Sequence, residues 1–86
     1  MERYEIRVKR SATKEIEAVA TKKDRRRIVR RIQALADDPR PHGCEKLSGR
    51  ALYRVRQGPY RVVYTVDDVA RVVLVVKVGH RRDVYR

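Results

Sequence analysis

The feature that most restricts the fold is an unbroken apolar run near the C-terminal end, Val72-Val73-Leu74-Val75-Val76. A strand with one face in water alternates apolar and polar residues, whereas a run without alternation is typical of a strand covered on both faces. We therefore expect a central strand here, with helices on one side of its sheet and other material on the second side. Because 86 residues suffice for one small core, we expect residues 1–86 to form a single domain.

The N-terminal half predicts one strand and two helices. Residues 3–9 alternate apolar and charged side chains at the period of a half-buried strand. A first helix is expected over about residues 12–20, with Ser11 as its N-cap, and a second helix over about residues 24–36. Pro39 ends the second helix, because the residue before a proline avoids helical geometry. The apolar residues of the second helix form one stripe, Ile28, Ile32, Leu35 and Ala36.

The C-terminal half predicts three consecutive strands. Residues 40–50 are expected to form a loop, and β-rich runs follow at residues 52–57, 60–66 and 71–78. Turn residues separate these runs, so neighbouring strands are expected to pair in antiparallel fashion. The order β-α-α-β-β-β predicts an α+β fold in which the two N-terminal helices pack on one face of a largely antiparallel sheet.

The charge balance indicates a polyanionic partner. The chain has 23 Lys and Arg against 11 Asp and Glu, a formal net charge of +12, which creates a strong positive potential over a small surface. No apolar run is long enough to span a membrane, and the N-terminus lacks a signal peptide's hydrophobic segment, so we expect a cytoplasmic protein without membrane contact. Cys44 and the nearby His42 supply too few ligands for zinc, and we expect neither a metal nor another cofactor.

Three arginines are predicted to meet on the hairpin formed by the second and third strands. If Gly58-Pro59 is a two-residue loop, Arg56 lies directly opposite Arg61. Arg54 then lies two residues further along the same face. Like charges in this position destabilise a hairpin, which favours a phosphate-binding role. The alternatives are arginines that extend separately into water, or a shifted loop at the proline.

Further cations lie in the second helix and in the tail after the last strand. Lys23, Arg26, Arg27 and Arg30 give the helix a cationic face suited to an RNA backbone. The tail contains His80, Arg81, Arg82 and Tyr85, and it can return beside Arg61. For both regions, a solvated charged surface without a ligand is the alternative interpretation.

The C-terminal half of the chain resembles a known family of toxins. The segments that carry the resemblance are Lys46-Leu47-Ser48-Gly49, Leu52-Tyr53-Arg54-Val55-Arg56-Gln57-Gly58-Pro59-Tyr60-Arg61-Val62-Val63-Tyr64 and Val76-Lys77-Val78-Gly79-His80-Arg81-Arg82-Asp83-Val84-Tyr85. They resemble the RelE toxins of type II toxin–antitoxin systems, within the RelE/ParE superfamily. The element order matches over nearly the whole chain.

The resemblance implies a metal-independent endonuclease that enters the ribosomal A site, cuts the codon there and so inhibits translation. The ribose 2′-hydroxyl would attack, leaving a cyclic phosphate and a free 5′-hydroxyl. By position, Arg61 would hold the scissile phosphate, Arg81 would stabilise the transition state or assist the leaving oxygen, and Tyr85 would stack on or orient a nucleotide. Lys46, Lys77 and Arg82 are expected to bind RNA, together with the cations of the second helix.

The chain departs from RelE toxins at Arg54 and Arg56, where the family carries lysines, one of them a candidate general base. Arginine is a poor base because its pKa lies above about 12. We therefore expect the arginines to offset transition-state charge while the ribosome positions the message. Tyr85 is the first candidate for the base, since neighbouring cations favour its ionised form, and His80 is the second.

The resemblance also implies a set of partners. These are a separate acidic antitoxin similar to RelB, the ribosome with its mRNA and ribosomal RNA, and operator DNA reached only through the antitoxin; the free toxin is expected to be a monomer. The main alternative is a ParE-like DNA gyrase inhibitor without RNase activity, which needs no catalytic cluster. A small basic nucleic-acid-binding module is a third possibility, but it would give Tyr85 no functional role.

Overall fold

The computed structural model describes residues 3–47 and 51–80. The helices are α1 (Arg10–Glu17) and α2 (Lys22–Ala34), and the strands are β1 (Glu5–Val8), β2 (Glu45–Lys46), β3 (Tyr53–Gln57), β4 (Tyr60–Asp67) and β5 (Val72–His80). In this part of the chain the strands form one sheet in the order β1-β5-β4-β3-β2, and both helices pack on one of its faces. The expected α+β class and helix placement are therefore confirmed. Neither helix combines the length and apolar character needed to cross a membrane.

β5 is the central strand that its apolar run predicts. β1 pairs with it in parallel on one side, and β4 pairs with it in antiparallel fashion on the other. Val73 and Val75 are fully buried beneath the helices. Val72 and Leu74 point to the second face and are only half-buried. Among the described residues, the helices bury one face of the sheet, whereas the second face is only partly covered.

α1 begins earlier than predicted, and Ser11 is not its N-cap. The helix starts at Arg10, and the N-cap is Lys9, whose side chain makes no capping hydrogen bond. The reason is the connection to the sheet: the N–H of Lys9 donates to the carbonyl of Val75 at 2.9 Å, and the carbonyl of Lys9 accepts from Thr13 N at 2.9 Å. The chain therefore passes from β1 into helix at Lys9, before Ser11 is reached.

α2 begins two residues earlier than predicted, because Thr21 acts as its N-cap. The side-chain oxygen of Thr21 accepts a hydrogen bond from the N–H of Asp24 at 3.1 Å, the contact typical of an N-cap threonine. The helix consequently begins at Lys22 rather than at residue 24. The predicted apolar stripe is buried as expected, although its last two members lie just beyond the helix end: Ile28, Ile32, Leu35 and Ala36.

The hairpin between β3 and β4 has the predicted register. Gln57 lies opposite Tyr60 and Arg56 lies opposite Arg61. Gly58 has a φ of +59°, and a positive φ at the first central position is what a type II′ hairpin turn requires. A two-residue loop therefore closes the hairpin, and Pro59 does not shift the pairing of the two strands.

The predicted loop over residues 40–50 contains β2, which was not expected. Glu45 pairs with Arg54, and Lys46 pairs with Tyr53. Two charged residues carry no alternating pattern, so pairing with β3 rather than local preference places them in the sheet.

Hydrogen bonds connect the segment after α2 to the sheet. Tyr64 is fully buried, and its hydroxyl donates to the carbonyl of Pro39 at 2.7 Å. At the sheet end away from the hairpin, Asp68 accepts two hydrogen bonds from Arg40, at 3.1 and 2.8 Å, and one from the hydroxyl of Tyr4 at 2.6 Å. These bonds fix the β4–β5 turn against β1 and the loop.

Candidate functional site

An arginine patch, consisting of Arg54, Arg56 and Arg61, lies on the sheet face that the helices leave uncovered. Side chains alternate between the two faces of a strand. Val55 and Val62 are fully buried on the helix-covered face, so the arginines beside them point the other way. The pairing of Arg56 with Arg61 brings two of the three into direct opposition. The structure therefore gathers the three hairpin arginines on one face, which we call the arginine face.

The members of the arginine patch differ in exposure. The side chain of Arg54 is only 12% exposed, whereas Arg56 is exposed and Arg61 is half-buried with its Nε atom buried. On β5, the residue opposite Arg61 is Gly79, which adds no side chain to the arginine face. A glycine within a strand often marks a place where a ligand approaches the backbone. Because Gly79 has no side chain, it leaves room for a phosphate group to approach the sheet beside Arg61.

Glu45 is the site residue that the sequence analysis missed. It lies directly opposite Arg54 and forms a salt bridge with the Nη2 atom of that arginine. The hydrogen bond and charge of Arg54 lower the pKa of the Glu45 carboxyl, and the charges of Arg61 and Arg56 lower it further. Glu45 is therefore an ionised carboxylate within electrostatic reach of the whole arginine patch. Its position depends on the short strand β2, which leaves no pattern in the sequence.

Two predicted site residues lie on the helix-covered face instead. His80 is paired with Tyr60, and the two rings meet edge to face with centroids 5.8 Å apart. Lys46 is paired with Tyr53, which packs against the core. Because the strand period is two, a residue next to one on the arginine face projects to the opposite side. The structure does not bring His80 or Lys46 together with the arginine patch.

Lys77 contacts α1 rather than the arginine patch. Its ammonium lies 3.3 Å from Oε2 of Glu15, and Oε1 of the same carboxylate accepts a hydrogen bond from Val78 N at 2.8 Å. β1 pairs with β5 only as far as Val75, and the Glu15 carboxylate satisfies a backbone donor beyond that point. The expected contact between Lys77 and RNA stays a prediction.

The cations predicted on the second helix are exposed along α2. They are Lys23, Arg26, Arg27 and Arg30. A surface groove lined by Arg27, Arg30, Arg31, Ala34 and Gln57 joins α2 to the end of the hairpin. The basic surface of the helix therefore reaches the hairpin at Gln57, on the face opposite to that of Arg56 and Arg61.

Arg81, Arg82 and Tyr85 lie outside the described residues, so their expected convergence with Arg61 stays a prediction. Among the residues that the structure describes, no group of three or more His, Cys, Asp or Glu side chains is placed to hold a metal ion.

Known proteins share both the sequence pattern and the architecture. The family model of the ParE toxin of type II toxin–antitoxin systems, parDE, matches residues 6–85. Toxin RelG of Mycobacterium tuberculosis is 41% identical over 34 residues, which cover 40% of this chain. That match spans only 39% of the length of RelG.

Solved structures of RelE toxins extend the likeness over nearly the whole chain. The archaeal RelE–RelB complex from Pyrococcus horikoshii matches with a TM-score of 0.81 and 28% identity, covering 93% of this chain and 97% of that chain. The intact RelBE toxin–antitoxin complex of E. coli matches with a TM-score of 0.77 and 28% identity, covering 90% and 95%. These relatives share the sheet and helix arrangement described above, and the chain belongs to the ParE toxin family of type II toxin–antitoxin systems, within the RelE/ParE superfamily.

Proposed function

We propose that this protein is the toxin of a type II toxin–antitoxin pair and acts as a ribosome-dependent mRNA endonuclease that cuts the codon in the A site. The observation that carries the proposal is the arginine patch, in which Arg56 and Arg61 face each other on an uncovered sheet surface. Such an arrangement is unfavourable for folding. It is explained if an RNA phosphate normally lies between the two guanidinium groups.

The proposed reaction is an attack by the ribose 2′-hydroxyl on the adjacent phosphorus, with no metal or other cofactor. The products are a 2′,3′-cyclic phosphate and a free 5′-hydroxyl. Arg61 holds the scissile phosphate, while Arg54 and Arg56 add positive charge as the phosphorane forms. Because arginine keeps its protons, these residues act through charge and hydrogen bonding rather than through proton transfer. Much of the acceleration comes from the ribosome, which positions the message.

Cations outside the patch would bind the surrounding RNA. The exposed face of α2 offers Lys23, Arg26, Arg27 and Arg30 to ribosomal RNA, and Lys46, Lys77 and Arg82 would serve the same purpose. Arg81 stabilises the transition state or assists the leaving oxygen, and Tyr85 orients a nucleotide. His80 is a weaker catalytic candidate than these residues, because its ring contacts Tyr60 on the helix-covered face.

The proposed partner in the resting state is a separate acidic antitoxin similar to RelB. The Pyrococcus horikoshii and E. coli relatives were both solved as complexes with RelB. A net charge of +12 favours an acidic partner on electrostatic grounds. We further propose a monomeric free toxin in the cytoplasm, which meets operator DNA only through the antitoxin.

The test is to express the protein and Arg61→Ala in parallel and to map the 5′ ends of cellular messages. We expect wild type to produce new ends in phase with codons inside translated regions, and we expect these ends to disappear in the variant. Ends without codon phase, or equal ends in both strains, would contradict the proposal.

A second candidate is inhibition of DNA gyrase without RNA cleavage, which the ParE description of the matching family favours. It predicts DNA damage in expressing cells and no codon-phased message ends. The same cultures therefore separate the two functions if chromosomal DNA breaks are measured beside message ends.

A further inference from the structure

The proposed reaction needs a proton acceptor that the arginine patch cannot provide. The attacking 2′-hydroxyl must lose its proton as the oxygen–phosphorus bond forms, and arginine side chains are not bases at accessible pH. Among the described residues, the carboxylate held within the arginine patch is Glu45. This inference rests on the proposed function and concerns the same site.

We propose that Glu45, in place of the sequence candidates Tyr85 and His80, is the general base of the cleavage reaction. Its carboxylate accepts the proton of the 2′-hydroxyl while that oxygen attacks phosphorus. The bond from phosphorus to the 5′ oxygen then breaks, and the leaving oxygen takes a proton from water or from an acid outside the described residues. After the cyclic product departs, Glu45 returns its proton to solvent, so the protein ends the cycle unchanged.

The exposure of the two partners supports this assignment. The side chain of Glu45 is 60% exposed, whereas that of its partner Arg54 is 12% exposed. Arg54 is therefore largely shielded from water and holds the carboxylate through the salt bridge, while a substantial part of Glu45 stays exposed to solvent. A general base must come within hydrogen-bond reach of the proton that it removes, and an exposed carboxylate beside the arginines proposed to hold the phosphate is open to such an approach.

Other carboxylates of the described residues form their contacts outside the arginine patch. Glu5 pairs with Arg7 on the edge strand β1, and Glu15 binds the β5 edge through Lys77 and Val78. Asp68 is bound to Arg40 at the opposite end of the sheet. Position thus distinguishes Glu45 from these other acids.

The electrostatic surroundings define the pH behaviour of Glu45. Arg54 and Arg56 face it from β3, and Arg61 faces it from β4; together they hold its pKa below the usual range in the free protein. A bound phosphate neutralises part of this charge, so the pKa of Glu45 rises in the complex, toward the value that suits proton transfer. We therefore expect the cleavage rate to fall on the acid side as Glu45 becomes protonated.

The test compares Glu45→Gln with Glu5→Gln in single-turnover cleavage of ribosome-bound message. Glu5 is a matched control, because it lies on the same sheet and pairs with an arginine, Arg7, but on the far edge strand. Glu45→Gln keeps a hydrogen-bond acceptor for Arg54 and cannot take the proton. We expect its maximal rate to fall about 100-fold or more, as for loss of a general base, while Glu5→Gln cleaves like wild type.

Three further readouts separate proton transfer from a merely positioning role. Glu45→Gln should bind programmed ribosomes at least as tightly as wild type, because it removes a negative charge from an RNA-binding patch. Its rate should also lose the acid limb of the wild-type pH profile. Glu45→Asp should recover part of the rate, and it provides a second test if the glutamine variant does not fold.

The outcomes distinguish this inference from the function on which it rests. If wild type cuts and Glu45→Gln cuts equally well, or keeps the acid limb, Glu45 is not the base and the endonuclease assignment stands. If wild type makes no cuts, the proposed function is wrong and the role of Glu45 is wrong with it.

Discussion

The two faces of the sheet differ in what their side chains do for the protein. On the helix-covered face, Val55, Val62 and Val73 are fully buried against the helices. On the arginine face, Arg56 and Arg61 stand directly opposite each other with like charges. The first arrangement is what stability requires, and the second is what stability alone would avoid. Alternation along β3 and β4 lets the same strands meet both demands, because neighbouring residues project to opposite faces.

The largest effect on stability should come from the helix-covered face. Ile28 on α2 is fully buried, and replacing it with alanine should lower the free energy of unfolding by about 2–5 kcal/mol through lost burial and a cavity. Denaturant unfolding followed by circular dichroism measures this change. Val29, the next residue, is 39% exposed, so Val29→Ala is the matched control and should cost much less. Equal losses in the two variants would show that the packing described for α2 is wrong.

A smaller effect of opposite sign should come from the arginine face. Arg56→Thr removes one of two opposed cations, and stability should rise by about 0.2–1 kcal/mol, the usual size of a cross-strand pair effect. Cleavage should fall at the same time. Arg7→Thr changes net charge equally but breaks a pair with Glu5 on β1, so it should not stabilise the protein. If Arg56→Thr is less stable than Arg7→Thr, the arginine pair is not a source of repulsion.

The sequence predicted the core strand, the stripe of α2 and the register of the hairpin arginines, but not the start of α1. Apolar periodicity located β5 at the centre and the α2 stripe in the core, since burial follows directly from pattern. Turn chemistry at Gly58-Pro59 predicted the hairpin register, and with it the position of Arg56 opposite Arg61. The start of α1 could not be predicted, because the hydrogen bond from Lys9 to Val75 is a tertiary contact.

Two parts of the candidate site depended on features without a sequence pattern. Glu45 joins the arginine patch only because β2 pairs with β3, and a strand of two charged residues has no recognisable period. His80 looked like a member of the cluster because it precedes Arg81 in the family motif. Its register opposite Tyr60 instead directs its ring to the helix-covered face.

The smallest predicted effect is on stability, from the ion pair between Asp68 and Arg40 at the end of the sheet. Hydrogen bonds from Arg40 and Tyr4 lower the pKa of Asp68 from its ordinary value of 3.8 to about 2. A depressed pKa means that Asp68 stabilises the fold above the ordinary value and that this contribution disappears as the pH falls toward 2. The effect is small, since the pair is exposed to solvent. Wild type should therefore exceed Asp68→Asn in stability at neutral pH, and the difference should shrink on acidification; a difference that does not depend on pH would contradict the assignment.

The central claim is that the arginine face serves chemistry while the helix-covered face serves stability, and Arg61 tests it most directly. The measurement is the single-turnover rate of A-site codon cleavage by Arg61→Ala on programmed ribosomes, with circular dichroism to verify folding. We predict a rate about 10²–10³ lower than that of wild type, as for loss of one group that stabilises transition-state charge, in a protein that is still folded. A folded Arg61→Ala variant that cuts at the wild-type rate would contradict the account.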